Sequence, residues 1–314
     1  SNIVVFQARP LSANIGVNKP DKKQVNVLIE SMKTKFLRVS RPVPHLGGKR
    51  TIFGDMPDWN PAEMIGNRPN TLDYSLYSFL ITDSVWHEAR STLGYKDVYP
   101  GELMISFGKR PYIDTRVSFN SFVPKDVSEK LCNKLVNYYL DELEKHPEKQ
   151  DKIEFEIAWS CFTFSLENQL ANLTKKGFSN EEISELKTSL LNFTNTIIEN
   201  ANNLFKRDVD LVSYLTGRKK KILSHRDTDD LSPWTLFNIA YNLLQNCKKF
   251  GILPFSRLAR MAFIGKSILI SLKDERIISN TTYHNFLNSI QTVASRFSED
   301  LKKFQDGEKT RKEF

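Results

Sequence analysis

Cysteine is scarce in this chain: three residues in 314, Cys132, Cys161 and Cys247, far apart and odd in number. No C-x-x-C pair and no Cys/His cluster occurs, so neither a structural zinc nor a disulfide framework organises the fold. Each cysteine lies on an apolar-periodic stretch and is expected to be core packing. No run of eighteen or more apolar residues exists, so no membrane partner is expected. The N-terminus lacks the basic and apolar regions of a secretory leader, and the cytoplasm is the expected compartment. Also missing are a Gly-rich phosphate loop, a Ser/His/Asp or Cys/His order, and any fixed-period repeat. The histidines, His45, His87, His146, His225 and His284, do not sit in a Gly-rich exposed loop of the kind that presents a phosphorylatable imidazole. By its own residues the chain carries no complete active site.

What is present is ordinary globular material. Hydrophobic residues are 40% and charged residues 26%, enough for a sizeable core. Net charge is +8, dispersed apart from knots at Arg218-Lys219-Lys220-Lys221 and Lys302-Lys303. The first knot follows Thr216-Gly217, a helix-stop pattern, and reads as a solvated basic turn. No RNP-like strand or helix-turn-helix spacing accompanies it, so nucleic acid is not an expected partner.

The chain has two textures. Residues 1–124 are mixed and hold most prolines and the strand signals, while 125–314 are helical in pattern almost throughout. The fold class expected is mostly α: a helical bundle preceded by a small α+β region containing a β-hairpin. The opening stretch, 3–7, reads as a strand. Helices are expected at 21–39, 61–65, 72–80 and 84–93, and a hairpin around Gly108-Lys109. In the second half the spacing predicts helices at 126–145, 149–176, 180–206, 208–216, 232–250, 255–274 and 280–305. Ser179 with Glu182 forms a capping box, Ser232-Pro233 a helix start, and Gly177 and Gly251 helix stops.

Four groups of residues can carry chemistry, each with a plainer structural alternative. Gln7 and Arg9 share a strand face, suited to a phosphate-and-metal site or to a solvated edge. Asp58, Asn60 and Glu63 cluster about Trp59, with Arg68 and Asp73-Tyr74 following. They form either the polar rim of a small-ligand site or a local capping box, Asn60 as cap and Glu63 in the first turn. Tyr112, Asp114 and Arg116 alternate on one hairpin face. They can hold an amino acid, with Arg116 on its carboxylate and Asp114 on its ammonium, or Asp114 and Arg116 can pair with each other. Arg257 and Arg260 are neighbours on an apolar helix and need an anionic partner, from a ligand or from another helix.

Taken together, "VVFQARPLS", "DWNPAEMIGNRPNTLDYSLY", "GKRPYIDTRVSFNSF" and "LPFSRLARMAFI" resemble the phosphoenolpyruvate synthase/pyruvate phosphate dikinase family, in its rifampin-phosphotransferase-like branch. In that family a Q-x-R-P stretch closes the ATP-grasp domain, and Gln7-Ala8-Arg9-Pro10 matches it. The tryptophan of the second stretch departs from the family pattern by standing next to the asparagine. The resemblance implies an organisation: 1–11 as the last strand of an upstream ATP-grasp domain, 12–57 as helix and linker, 58–124 as the α+β region, 125–314 as the bundle. It implies that Gln7 and Arg9 reach ATP and its Mg ion in the whole protein, and that a phosphohistidine domain follows. The chain itself is then an inactive fragment of a phosphotransferase that binds the small-molecule acceptor, with L-glutamine expected. For glutamine, Arg116, Arg257 or Arg260 would hold the carboxylate and Asp58, Glu63 or Asp114 the ammonium. The rival reading is a non-catalytic helical scaffold or dimerisation domain between the flanking domains, as a homodimer.

Overall fold

The computed structural model describes residues 21–223, 231–308 and 310. The stretch holding Gln7 and Arg9 lies outside them. The protein is mostly α, with a small three-stranded antiparallel sheet ahead of the helical region, as the composition of its two halves predicts. Among the described residues no helix is long and apolar enough to cross a membrane.

The first helix, α1 (Lys22–Val39), buries none of its residues. After it the chain is pinned rather than loose. Gly47 N donates to Asn120 Oδ1 and Gly48 N to Asn133 Oδ1, both at 2.8 Å. A Cβ at Gly47 would stand 2.8 Å from the Asn133 Cα, so only glycine allows this approach. Strand β1 (Phe53–Gly54) leads to the short helices α2 (Pro61–Met64) and α3 (Thr71–Tyr77), and a π turn joins α3 towards α4 (Val85–Ser91). Strands β2 (Met104–Phe107) and β3 (Arg110–Asp114) form the expected hairpin, with Met104 opposite Ile113 and Phe107 opposite Arg110. Both turn residues, Gly108 and Lys109, have positive φ, as a two-residue hairpin turn requires. Strand β1 joins the other edge of β3.

The hairpin ends earlier than its alternation suggests. Asp114 caps a helix, α5 (Thr115–Asn120), by accepting from Val117 N at 3.2 Å. Arg116 therefore sits in the first turn of α5 and not on the strand face.

The helical half begins with α6 (Glu129–Lys145), whose buried face, Leu131, Leu135, Val136, Tyr139, Leu140 and Leu143 among others, centres the main core. The helix expected at 149–176 is not formed. Its place is taken by a 3-10 segment (Pro147–Lys152), the single turn α7 (Ile153–Glu156), an irregular stretch, and α8 (Leu166–Leu170). The reason is tertiary: backbone groups of the stretch bond elsewhere. Phe162 N donates to Thr194 Oγ1 at 2.8 Å, and the Ser160 carbonyl accepts from Tyr95 OH at 2.7 Å.

Helix α9 (Asn180–Leu223) is continuous over 44 residues, where two helices and a stop at Gly217 are expected. Gly217 has nothing within 4 Å of its absent Cβ, so an exposed glycine simply rides in the helix at a cost of about 1 kcal/mol. The basic run from Arg218 is helical, not a turn. The Ser179–Glu182 capping box is present, with Ser179 N donating to Glu182 and Glu182 N to Ser179, and Gly177 ends the preceding turn with φ 86°. Helix α10 (Pro233–Cys247) starts at the Ser232 cap and passes through a π turn (Lys248–Ile252) directly into α11 (Leu253–Asp274). Gly251 does not stop it. Its Cβ would lie 3.0 Å from Leu215 Cδ2, so this glycine allows close approach to α9. The last expected helix is split into α12 (Asn280–Ser289) and α13 (Val293–Gln305), the second opened by a Thr292–Ser295 capping box. Cys132 and Cys161 are buried as expected; Cys247 is only half-buried.

Candidate functional site

Helix α11 packs against both α4 and α9. Its start, the loop before α2 and the single turn α7 enclose a cavity of about 280 Å³. Trp59, Ile153, Phe255 and Phe263 supply apolar wall, and Asp58, Arg90, Asp151, Glu154 and Arg260 all reach the lining.

The loop that forms one wall is strained. Asp58, Trp59 and Asn60 are consecutive left-handed residues, with φ of 37°, 54° and 38°. Asp and Asn tolerate that region, but a bulky residue there costs roughly 1–2 kcal/mol. Several bonds hold it. Arg90 grips the Asp58 carboxylate with both terminal nitrogens, at 2.8 and 2.7 Å. Ser118 Oγ donates to the same carboxylate at 2.7 Å. The Trp59 carbonyl accepts from Tyr77 OH at 2.5 Å. Asn60 accepts from Glu63 N at 3.2 Å and caps α2, with Pro61 at its first position.

A second ion pair stands beside the first. Arg260 donates to Glu154 Oε2 at 2.5 Å and to Ser160 Oγ at 2.8 Å. Both arginines lie over the Phe122 ring, 4.3 Å for Arg90 and 5.2 Å for Arg260. Burial pushes the Glu154 carboxyl above its ordinary value; Arg260 opposes this and Asp58 adds to it. The two pairs share one desolvated floor, so each charge depends on its neighbour for compensation.

The sequence candidates divide cleanly. Asp58, Asn60 and Arg260 line the cavity. Glu63 does not; it lies exposed in the first turn of α2, and Arg68 is exposed beyond it. Tyr112, Asp114 and Arg116 do not line this cavity. Arg116 is 1% exposed and donates to the Val39 and Arg41 carbonyls, at 3.1 and 2.7 Å, and to Asp114 at 3.2 Å. It closes the C-terminus of α1 and pairs with Asp114, the plainer alternative. Arg257 is also structural: it holds the fully buried Asp208 through Nε at 2.9 Å and Nη2 at 2.6 Å.

Arg90 and Glu154 also line the cavity, though neither stands among the residues that the sequence motifs single out. Arg90 had a signal, an arginine four residues after Trp86 on an apolar helix face, which calls for a carboxylate. Glu154 had none, because the turn that aims it exists only through tertiary contacts. Among the described residues no group of three or more His, Cys, Asp or Glu is arranged to hold a metal ion. Compared with known proteins, the chain matches no family model, no curated protein and no solved structure.

Proposed function

We propose that this chain is the acceptor-binding domain of a multidomain ATP-dependent phosphotransferase that works through a phosphohistidine domain, with L-glutamine as the acceptor. The observation that carries the reading is convergence. "DWNP" and "LPFSRLARMAFI", two of the four stretches behind the family resemblance, lie some two hundred residues apart, yet line one cavity. Its volume, about 280 Å³, falls just below the range for ligand pockets, roughly 300–1,000 Å³, which suits a metabolite better than a large drug. Apolar walls with a few convergent polar groups are the usual make-up of such a site. ATP and Mg belong to the flanking domain in this reading, with Gln7 and Arg9 as this chain's share.

Isothermal titration of L-glutamine into the chain tests it. One site per chain is expected, abolished by Ala259→Trp, which fills the cavity. No binding, or binding indifferent to that substitution, overturns the reading. One observation favours the scaffold alternative: α10 buries none of its residues and exposes Trp234, Phe237 and Tyr241. A chain that binds no small molecule and self-associates would support it.

A further inference from the structure

The charged groups around the cavity are not equally open to a ligand. Arg90 spends its terminal nitrogens on Asp58 and on Ser121 Oγ, the latter at 2.6 Å. Arg260 spends its own on Glu154 and Ser160, and its Nε is buried without a partner. That nitrogen is sealed from the cavity, so it is not offered to a ligand carboxylate. Both guanidiniums are over nine-tenths buried.

The carboxylates differ. Asp58 is closed by Arg90 and Ser118. The Glu154 side chain keeps 19% exposure, and only its Oε2 is engaged among the described residues. Asp151 lies exposed at the rim. The lining thus counts three carboxylates, Asp58, Asp151 and Glu154, against two guanidiniums, Arg90 and Arg260, for a net charge of −1. This is a negative pocket on a chain of net charge +8. Its remaining wall includes the aromatic rings of Trp59, Phe255 and Phe263, and aromatic faces attract cations.

We propose that the cavity recognises its ligand by a cationic nitrogen, an alkylammonium or amino group, held between Glu154 and the wall of Trp59, Phe255 and Phe263. A ligand carboxylate meets two guanidiniums already paired with Asp58 and Glu154, so it is left at the mouth. This reverses the expectation that Arg260 binds a carboxylate. It rests on the acceptor reading only in so far as L-glutamine is the molecule: there the α-ammonium enters.

The experiment is isothermal titration of the full chain with four probes: n-butylammonium, L-glutamine, L-glutaminamide, whose carboxylate is neutralised, and N-acetyl-L-glutamine, whose ammonium is. L-Glutaminamide should bind at least as tightly as L-glutamine. The N-acetyl compound should bind about tenfold more weakly or worse, as loss of a charge-assisted bond in a desolvated site implies. Glu154→Gln should weaken every amine about tenfold, and Phe263→Leu by a smaller factor, since a single cation–π contact contributes roughly 0.5–2 kcal/mol. Phe263→Leu keeps the test valid should Glu154→Gln fold poorly. Binding of n-butylammonium without L-glutamine or L-glutaminamide sustains the cation site and ends the L-glutamine reading. Equal affinity for L-glutamine and its N-acetyl derivative, or no binding of any amine, overturns the inference.

Discussion

Helices α6 and α10 are close in length and opposite in character. Of the 17 residues of α6, seven are charged and seven are buried. The 15 residues of α10 include no charge, yet none is buried. Apolar content therefore does not locate the core. Segregation does: α6 places its apolar residues on one stripe that meets the rest of the body, while α10 offers apolar surface with little of the body against it. Between the two, α9 changes from one regime to the other along its length. Its first half buries Leu186, Leu190, Phe193 and Ile197, whereas Phe205 and Tyr214 lie exposed further on. There the attachment to α11 passes to a buried ion pair, Asp208 with Arg257.

That contrast can be broken by measurement. The largest effect is expected at Asp208→Ala, which leaves Arg257 charged, buried and unpaired; chemical denaturation should show a loss of about 3–5 kcal/mol. A loss near zero would mean that α9 is held by apolar contacts after all. Leu135→Ala in α6, at a fully buried position, should cost about 2–5 kcal/mol. Leu236→Ala in α10, 40% exposed, should stay within about 0.5 kcal/mol in the same assay. Equal losses at the two leucines would erase the comparison.

Acidity sharpens it further. Burial works against ionisation of Asp208, but hydrogen bonds from Arg257 and Arg207 prevail and hold its carboxyl below the ordinary range. Its contribution is present above the unfolded carboxylate pKa of about 3.9 and is lost as pH falls through the depressed folded value. His87 behaves differently. Its ring is buried, with Nδ1 3.1 Å from Asp97. Burial lowers its pKa, outweighing Asp97. The unfolded chain then binds the proton first, so stability should begin to fall as pH drops below about 6.5. His87→Phe should remove that early loss and leave the later, Asp208-dependent one. An unchanged profile in thermal melts across pH 4–7 would refute the assignment to His87.

The local features were legible in the sequence. The hairpin turn at Gly108-Lys109, the Ser179–Glu182 capping box, the Ser232-Pro233 start and the Asn60 cap all depend on neighbouring residues, and all are found. What failed depended on distant ones. Gly251 looks like a helix stop until Leu215 is seen beside it. The stretch 157–164 reads as helix until Thr194 and Tyr95 claim its backbone. The cavity divides the same way. Asp58, Asn60 and Arg260 stand in conspicuous motifs, but Glu154 joins them only because α7 is a turn and not part of a long helix. Arg116 and Arg257 misled for one reason: an arginine among apolar residues advertises a buried anion or carbonyl without saying whether protein or ligand supplies it.

The three left-handed residues at 58–60 make one wall of the cavity conditional. A tryptophan does not adopt that backbone unaided; the segment is a loaded spring, and the two-pronged grip of Arg90 on Asp58 is its catch. Lysine at position 90 would keep the charge and lose the second prong. Arg90→Lys should therefore let the segment relax, raising hydrogen exchange across 58–64 and withdrawing Trp59 from the wall. Ligand affinity would then be governed by a side chain whose terminal nitrogens are spent on the protein, on Asp58 and Ser121.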